Sequence, residues 1–261
     1  MPAAQDPADF YALVDIIKRL NGADGCPWDR QQTHTSLREC LLEECYEVLE
    51  ALDVGDTDKL AVELGDLLLQ IIMHSQIASK AGEFGLGDVI SSISTKLVRR
   101  HPHVFDSLDV GDAEEVMLNW EKHKKKERGE EASMLDGVPR QMPSLAYSQE
   151  VQSRVARVGF DWGSDEGVVD KLAEEVAEYK EARDKEQRAA EFGDVLFTLA
   201  NVARRQGIDL EAALRQSNSR FYERFARMEE FCRQRCIDFT GLPFNEKNKL
   251  WEEAKKGIAE G

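Results

Sequence analysis

The sequence is poor in residues that break helices, with 7 Pro and 18 Gly in 261 residues. Its five cysteines (Cys26, Cys40, Cys45, Cys232, Cys236) are an odd set at no framework spacing. A chain of this length buries a core without staples, so a reduced, cytoplasmic protein is expected. No run of about 18 apolar residues occurs, which argues against a membrane span. Met1-Pro2-Ala3-Ala4-Gln5-Asp6 lacks the basic and apolar regions of a signal peptide. Gly-x-x-x-x-Gly-Lys-Ser/Thr is absent, which excludes a P-loop. No Glu has a His three residues later, which weakens a di-iron bundle. Positive charge is also short: 34 Lys and Arg face 50 Asp and Glu, a formal net charge of −16. That field repels a phosphate backbone, so duplex nucleic acid is not an expected partner. Nucleotides could bind only where local cations or metal ions reverse the sign.

What the chain does contain is a repeat. Its 4 Trp fall into two pairs, Trp28 with Trp120 and Trp162 with Trp251, separated by 92 and 89 residues. Within each pair the same features recur in order. Leu42-Glu43-Glu44-Cys45-Tyr46-Glu47 matches Ala173-Glu174-Glu175-Val176-Ala177-Glu178. Glu63-Leu64-Gly65-Asp66 matches Glu191-Phe192-Gly193-Asp194. Lys96 and Arg100 match Arg220 and Arg224, and Trp120 with Lys124 matches Trp251 with Lys255. A tandem duplication follows, with units at 1–128 and 148–261. The connection between them, 129–147, contains Gly129, Gly137, Pro139 and Pro143.

Each unit reads as helices, giving an all-α fold. Ser36-Leu37-Arg38-Glu39 is a capping-box pattern, and Leu37, Leu41, Cys45, Val48 and Leu52 continue at helical spacing. A turn at Asp53–Asp56 precedes a second helix over about Lys59–Lys80, apolar on most sides and expected to be buried. Pro102 should stop a third helix near Arg100. No segment alternates as a strand does, and short loops favour antiparallel neighbours.

The carboxylates carry the chemistry. On the first helix Glu44 and Glu47 flank the apolar face, while Glu43 and Glu50 point away. On the second, Glu63 and Asp66 share a stripe with Gln70 and His74. Glu175, Glu178, Glu191 and Asp194 repeat the pattern. Two carboxylates about 5 Å apart repel by roughly 3 kcal/mol at an effective dielectric near 20. Four on one seam need protons or a multivalent cation. All-oxygen ligands suit Mg²⁺, with Mn²⁺ as a substitute, and Mg²⁺ commonly bridges carboxylates to substrate phosphates. Gly65 and Gly193 each cost their helix about 1 kcal/mol relative to Ala, which suggests a close backbone approach. Lys96 with Arg100, and Arg220 with Arg224, share helix faces suited to phosphate. Trp120 with Lys124, and Trp251 with Lys255, place an indole beside an ammonium, a possible base platform.

These residues resemble the MazG family of nucleoside triphosphate pyrophosphohydrolases. The matching stretches are Gly25-Cys26-Pro27-Trp28-Asp29, Leu42–Glu47, Glu63–Leu68, Arg99–Phe105, Val158-Gly159-Phe160-Asp161-Trp162 and Glu191–Leu196. The resemblance implies the reaction NTP + H₂O → NMP + PPi, Mg²⁺ dependence and clearance of aberrant nucleotides or adjustment of nucleotide pools. It also implies a homodimer that completes four-helix-bundle cores. In the second unit it implies Glu175, Glu178, Glu191 and Asp194 as metal ligands, and Lys171 near the nucleotide. Arg220 and Arg224 would hold phosphates and Trp251 would contact the nucleotide; for metal-assisted hydrolysis, Glu174 or Glu178 is the expected general base, and the sequence does not decide between them. The first unit's equivalents are Glu44, Glu47, Glu63, Asp66, Lys96, Arg100 and Trp120. The alternatives are a non-catalytic helical sensor or scaffold, or a relative that cleaves dUTP or phosphoribosyl-ATP.

Overall fold

A computed structural model describes residues 9–106, 111, 112, 116 and 133–256. Among these residues there are eleven bounded helices and no strand. The chain divides into two compact units, Met1–Glu127 and Arg128–Gly261. The first contains α1 (Phe10–Leu20), α2 (Pro27–Arg30), α3 (Arg38–Val54), α4 (Thr57–Ala81), α5 (Leu86–Arg100) and α6 (Pro102–Phe105). The second contains α7 (Ser144–Ala156), α8 (Asp165–Glu181), α9 (Lys185–Arg205), α10 (Leu210–Gln234) and α11 (Phe244–Lys256).

Caps set the boundaries that matter for the site. Gly55, at φ 70°, ends α3 in the left-handed conformation, and Asp56 accepts from the Lys59 N–H to begin α4. The two helices are therefore a tight hairpin that packs side by side. Ser164 and Asp184 cap α8 and α9 by accepting from Gly167 and Gln187, and these helices form the matching hairpin. Pro102 ends α5 at Arg100, as the sequence predicts.

Three expectations need correction. The capping box at Ser36 and Glu39 does not form. Instead, Ser36 N–H donates to Thr33 Oγ1 (3.1 Å) and Thr33 N–H to Ser36 Oγ (2.9 Å). Leu37 is buried, which holds residues 33–37 in a turn of their own, and α3 begins at Arg38 without a side-chain cap. Second, α4 is not buried on most sides in the single chain. Among the described helices α1, α3 and α5 pack on it, and Gln70, Ile72, Met73, Ser75 and Ala78 are buried while Val62, Leu64 and Ile71 are exposed. By length and composition α4 is also long and apolar enough to cross a membrane, although it carries Glu63 and Asp66. Third, the expected connection is shorter at its C-terminal end. Residues 144–147 already belong to α7, Val138 is buried, and Arg154 Nη1 donates to the Asp136 carbonyl (2.9 Å).

In the first unit Ile17, Leu37, Ile72 and Met73 form the core. In the second, Met228, Cys232, Leu250 and Ala254 join α10 to α11, and Val151, Val168, Ala200 and Ala203 are buried along α7, α8 and α9. Hydrophobic burial on this scale holds each hairpin in place, and so fixes where its carboxylates lie.

Candidate active site

Each hairpin brings acidic side chains from both of its helices to one seam. In the second unit Glu175 and Glu178 on α8 meet Glu191 on α9, with one carboxylate oxygen from each lying within 4.8 Å of the others. Glu175 is only 6% exposed. In the first unit Glu44 on α3 meets Glu63 and Asp66 on α4 within the same limit. The fourth expected member stands outside the triple in each case. Asp194 is exposed and faces a neighbouring cavity, while Glu47 engages Glu44.

The electrostatics show negative charge in excess. Burial, followed by the charges of Asp66 and Glu47, pushes the Glu44 carboxyl above the usual carboxylate range. Burial, with the charges of Glu175, Glu191 and Glu174, pushes Glu178 up as well, although Lys171 opposes it. Lys171 Nζ lies 2.7 Å from Glu174 and 2.9 Å from Glu175, and both bonds raise its pKa. Three converging oxygen ligands fit a hard divalent cation, and neither cluster includes the nitrogen or sulfur ligands that zinc favours.

Beside the second cluster lies a cavity of about 570 Å³, within the range of small-molecule sites. Its walls come from α7 (Gln152, Val155), the 159–163 loop, α8 (Lys171, Glu175) and α9 (Asp194 to Arg204). Phe160, Trp162 and Phe197 supply aromatic surface. The loop is held by ion pairs that span the sequence. Asp161 binds Arg204 and lies 3.3 Å from Arg205, which donates to the Trp162 carbonyl (2.8 Å) and to Asp165 (2.7 Å). Gly167 leaves room for the Trp162 ring, since a Cβ there would lie 3.3 Å from it.

The expected cations are placed differently. Arg220 Nη2 donates to Ser217 Oγ (2.7 Å), and Arg224 stacks 5.8 Å from the Trp251 ring. Trp251 packs against Phe221 in the α10–α11 cluster, and Lys255 bonds Glu252. None of these four lines the cavity. The hydrogen bonds between α7 and α10 lie at the first turn of α10, through Gln149 and Glu211, and Arg220 lies about 15 Å further along the helix. Arg224 Nε is nevertheless buried without a hydrogen-bond partner, so its charge is not fully used within the chain. In the first unit Lys96 lies in a shallow groove on α5 with Phe84 and Asp88, and Arg100 ends that helix. Trp120 and Lys124 fall outside the described residues.

Gly65 and Gly193 do not mark a close approach within the unit. A Cβ at either would meet nothing within 4 Å, and their neighbours Leu64 and Phe192 are exposed. The close approach occurs at Gly25, where a Cβ would lie 2.1 Å from the Leu20 carbonyl as Cys26 N–H closes back on it.

Comparison with known proteins places the chain among relatives. Over 95% of its length the chain is 42% identical to the nucleoside triphosphate pyrophosphohydrolase/pyrophosphatase MazG of Thermotoga maritima, and it covers 96% of that protein. The chain belongs to the MazG family. Over 94% of its length it is 40% identical to the nucleoside triphosphate pyrophosphohydrolase of Escherichia coli K12, covering 96% of it. It is 44% identical to the uncharacterized protein YabN of Bacillus subtilis, matching 52% of that longer chain. Residues 32–105 match the MazG nucleotide pyrophosphohydrolase domain, and residues 141–220 match phosphoribosyl-ATP pyrophosphohydrolase. Both descriptions denote cleavage of a phosphoric anhydride, and this MazG-family chain is a hydrolase of that class.

Sequence patterning had no means of finding the cavity. Val158–Trp162 stands out only as a motif, while Gln152, Asn201 and Arg204 carry no periodic signal, and Arg204 meets Asp161 across 43 residues.

Proposed function

We propose that the protein hydrolyses nucleoside triphosphates to the monophosphate and pyrophosphate with Mg²⁺, or Mn²⁺ in its place, and that the second unit is the main catalytic site. The observation that carries this reading is the placement of Glu175, Glu178 and Glu191 beside an aromatic-walled cavity large enough for a nucleoside. Glu175, Glu178 and Glu191, with Asp194 at the cavity wall, would hold the metal in the second unit. Glu44, Glu47, Glu63 and Asp66 would do so in the first. When bound, Mg²⁺ supplies positive charge that neutralises the triphosphate and the charge developing on it.

The side chains do the rest. Phe160, Trp162 and Phe197 exclude water from the base and offer it flat apolar surface. Lys171, already at the boundary of cluster and cavity, turns its ammonium to the phosphates. Glu178 or Glu174 takes the proton from the attacking water, and Glu174 is also bonded to Lys171. Arg220, Arg224, Trp251 and Lys255, with Lys96, Arg100 and Trp120 in the first unit, serve the phosphates and base once a second copy covers the exposed hairpin faces. Leu64, Phe192 and Phe197 are exposed there, and the open space at Gly65 and Gly193 admits a close helix. The result is a homodimer with four-helix-bundle cores. Its role is to clear non-canonical nucleotides or adjust nucleotide pools in the cytoplasm, without binding membranes or duplex nucleic acid.

The test is to incubate the protein with ATP, dUTP, ITP and phosphoribosyl-ATP, with and without Mg²⁺, and identify the products. Monophosphate and pyrophosphate in the Mg²⁺ arm support the reading. Absence of turnover points instead to a sensor or scaffold. Strong preference for phosphoribosyl-ATP, which the family match of residues 141–220 makes the second reading, would replace the substrate class.

A further inference from the structure

We infer that Gln152 and Asn201 form a pair of fixed polarity that reads the base edge, requiring a hydrogen-bond donor opposite Gln152 and an acceptor opposite Asn201. This rests on the cavity being the nucleoside site, as proposed above. Gln152 is 5% exposed and lines the cavity, and its Nε2 donates to the Phe197 carbonyl at 2.8 Å. Only the amide nitrogen can meet a carbonyl, so Oε1 is fixed on the opposite side, where it is buried without a partner. An orphaned acceptor of this kind calls for a donor from something that occupies the space.

Asn201 is fixed in the opposite sense. Its Oδ1 accepts from Arg204 Nε (3.1 Å) and Nη2 (2.7 Å), and a guanidinium can only donate. The amide therefore cannot turn over, and Nδ2 is the half left to serve a ligand. Arg204 is itself held by Asp161, next to Trp162, so the device that orients Asn201 also fixes the aromatic wall. The neighbouring lining at Val155, Phe160 and Phe197 is apolar, and Thr198, which also lines the cavity, makes no hydrogen bond to Gln152 Oε1.

Uracil, guanine and hypoxanthine present an N–H beside a carbonyl, while adenine and cytosine present an amino group beside a ring nitrogen. Each common base can meet the pair with one donor and one acceptor, so the pair selects a class of edge rather than one base. Bare tripolyphosphate meets neither group. A lactam base alkylated on nitrogen meets only Asn201, and leaves the Gln152 oxygen unpaired.

The test compares kcat/KM with Mg²⁺ for UTP, N3-methyl-UTP and tripolyphosphate. The wild type should prefer UTP to its N3-methyl derivative by about tenfold or more, the effect of one unpaired buried acceptor. Gln152→Met should bring that ratio close to one. Asn201→Asp keeps the Arg204 contacts and loses the donor, so it should weaken both nucleotides alike, and by more than it weakens tripolyphosphate. A ratio unchanged in Gln152→Met, or equal losses for nucleotides and tripolyphosphate, overturns the pair. If the wild type turned over no triphosphate, the proposed function would fall. The same comparison by binding, UMP against N3-methyl-UMP followed by tryptophan fluorescence, would still decide the pair.

Discussion

Asn21 and Met73 occupy in the first unit the places that Val155 and Asn201 hold in the second. Asn21 and Val155 each precede the motif tryptophan by seven residues, and Met73 and Asn201 each follow the motif aspartate by seven. In the second unit both side chains line the cavity. In the first, Asn21 Nδ2 lies 3.0 Å from Met73 Sδ, and Met73 packs with Ile17, Leu37 and Ile72 in the core. One pair borders an opening and the other closes on itself. The acidic seams differ less. Glu44 and Glu175 hold equivalent positions, as do Glu63 and Glu191, and all four belong to converging triples. The acidic seam recurs in both units more closely than the residues beside it do, so on the proposed reading cation binding and nucleoside binding are separable.

The largest expected effect tests that separation directly. Glu175→Gln should reduce pyrophosphate release at least about a hundredfold, because it removes the buried carboxylate from the seam beside the cavity. Glu44→Gln should cost about twofold or less, since beside the first-unit seam Asn21 and Met73 close on each other where the second unit opens. Equal losses in a pyrophosphate assay would break the comparison.

A smaller effect is read in stability against pH. Burial, and then the charge of His34, hold His74 below its ordinary value of 6.5, and the two Nδ1 atoms are 2.8 Å apart. A lowered histidine contributes stability above about pH 6.5 and loses it as the pH falls through its folded pKa. Burial raises Asp161, but bonds from Arg204 and the Trp162 N–H, with the charges of Arg204 and Arg205, outweigh it and hold the carboxyl below 3.8. Its contribution is present above that value and is lost only as the pH falls through the lowered pKa. The first unit should therefore soften first on acidification. His74→Leu should flatten urea midpoints between about pH 7 and 5, and Asp161→Asn only below about pH 4. The reverse order would contradict the assignment.

The smallest effect concerns Cys40, which precedes Glu44 by four residues as Lys171 precedes Glu175. Cys40→Lys should weaken Mg²⁺ binding by the first unit up to about tenfold in calorimetric titration, with stability changed by about 1 kcal/mol or less. Unchanged affinity would mean that the lysine is not what separates the two seams.

How much of this was legible in the sequence depends on the range of the interaction. The helices, the α3–α4 and α8–α9 hairpins and the convergence of Glu44, Glu63, Glu175 and Glu191 follow from spacing within one or two helices. Local chemistry still misled at Ser36, where Thr33 competes for the same hydroxyl, and at Gly65, where the expected close contact is absent within the unit. The cavity was illegible because the Asp161–Arg204 and Gln152–Phe197 contacts join separate helices and loops, and neither pair leaves a periodic trace.

Lys171 gives the second unit a resting state of its own. With its ammonium across Glu174 and Glu175, that seam carries a resident counter-ion whenever cargo is absent. If that seam takes the divalent cation proposed above, loading exchanges one cation for another and frees the Lys171 ammonium for the phosphates. The first unit has a thiol, Cys40, at the matching position, so its seam is not given the same built-in exchange.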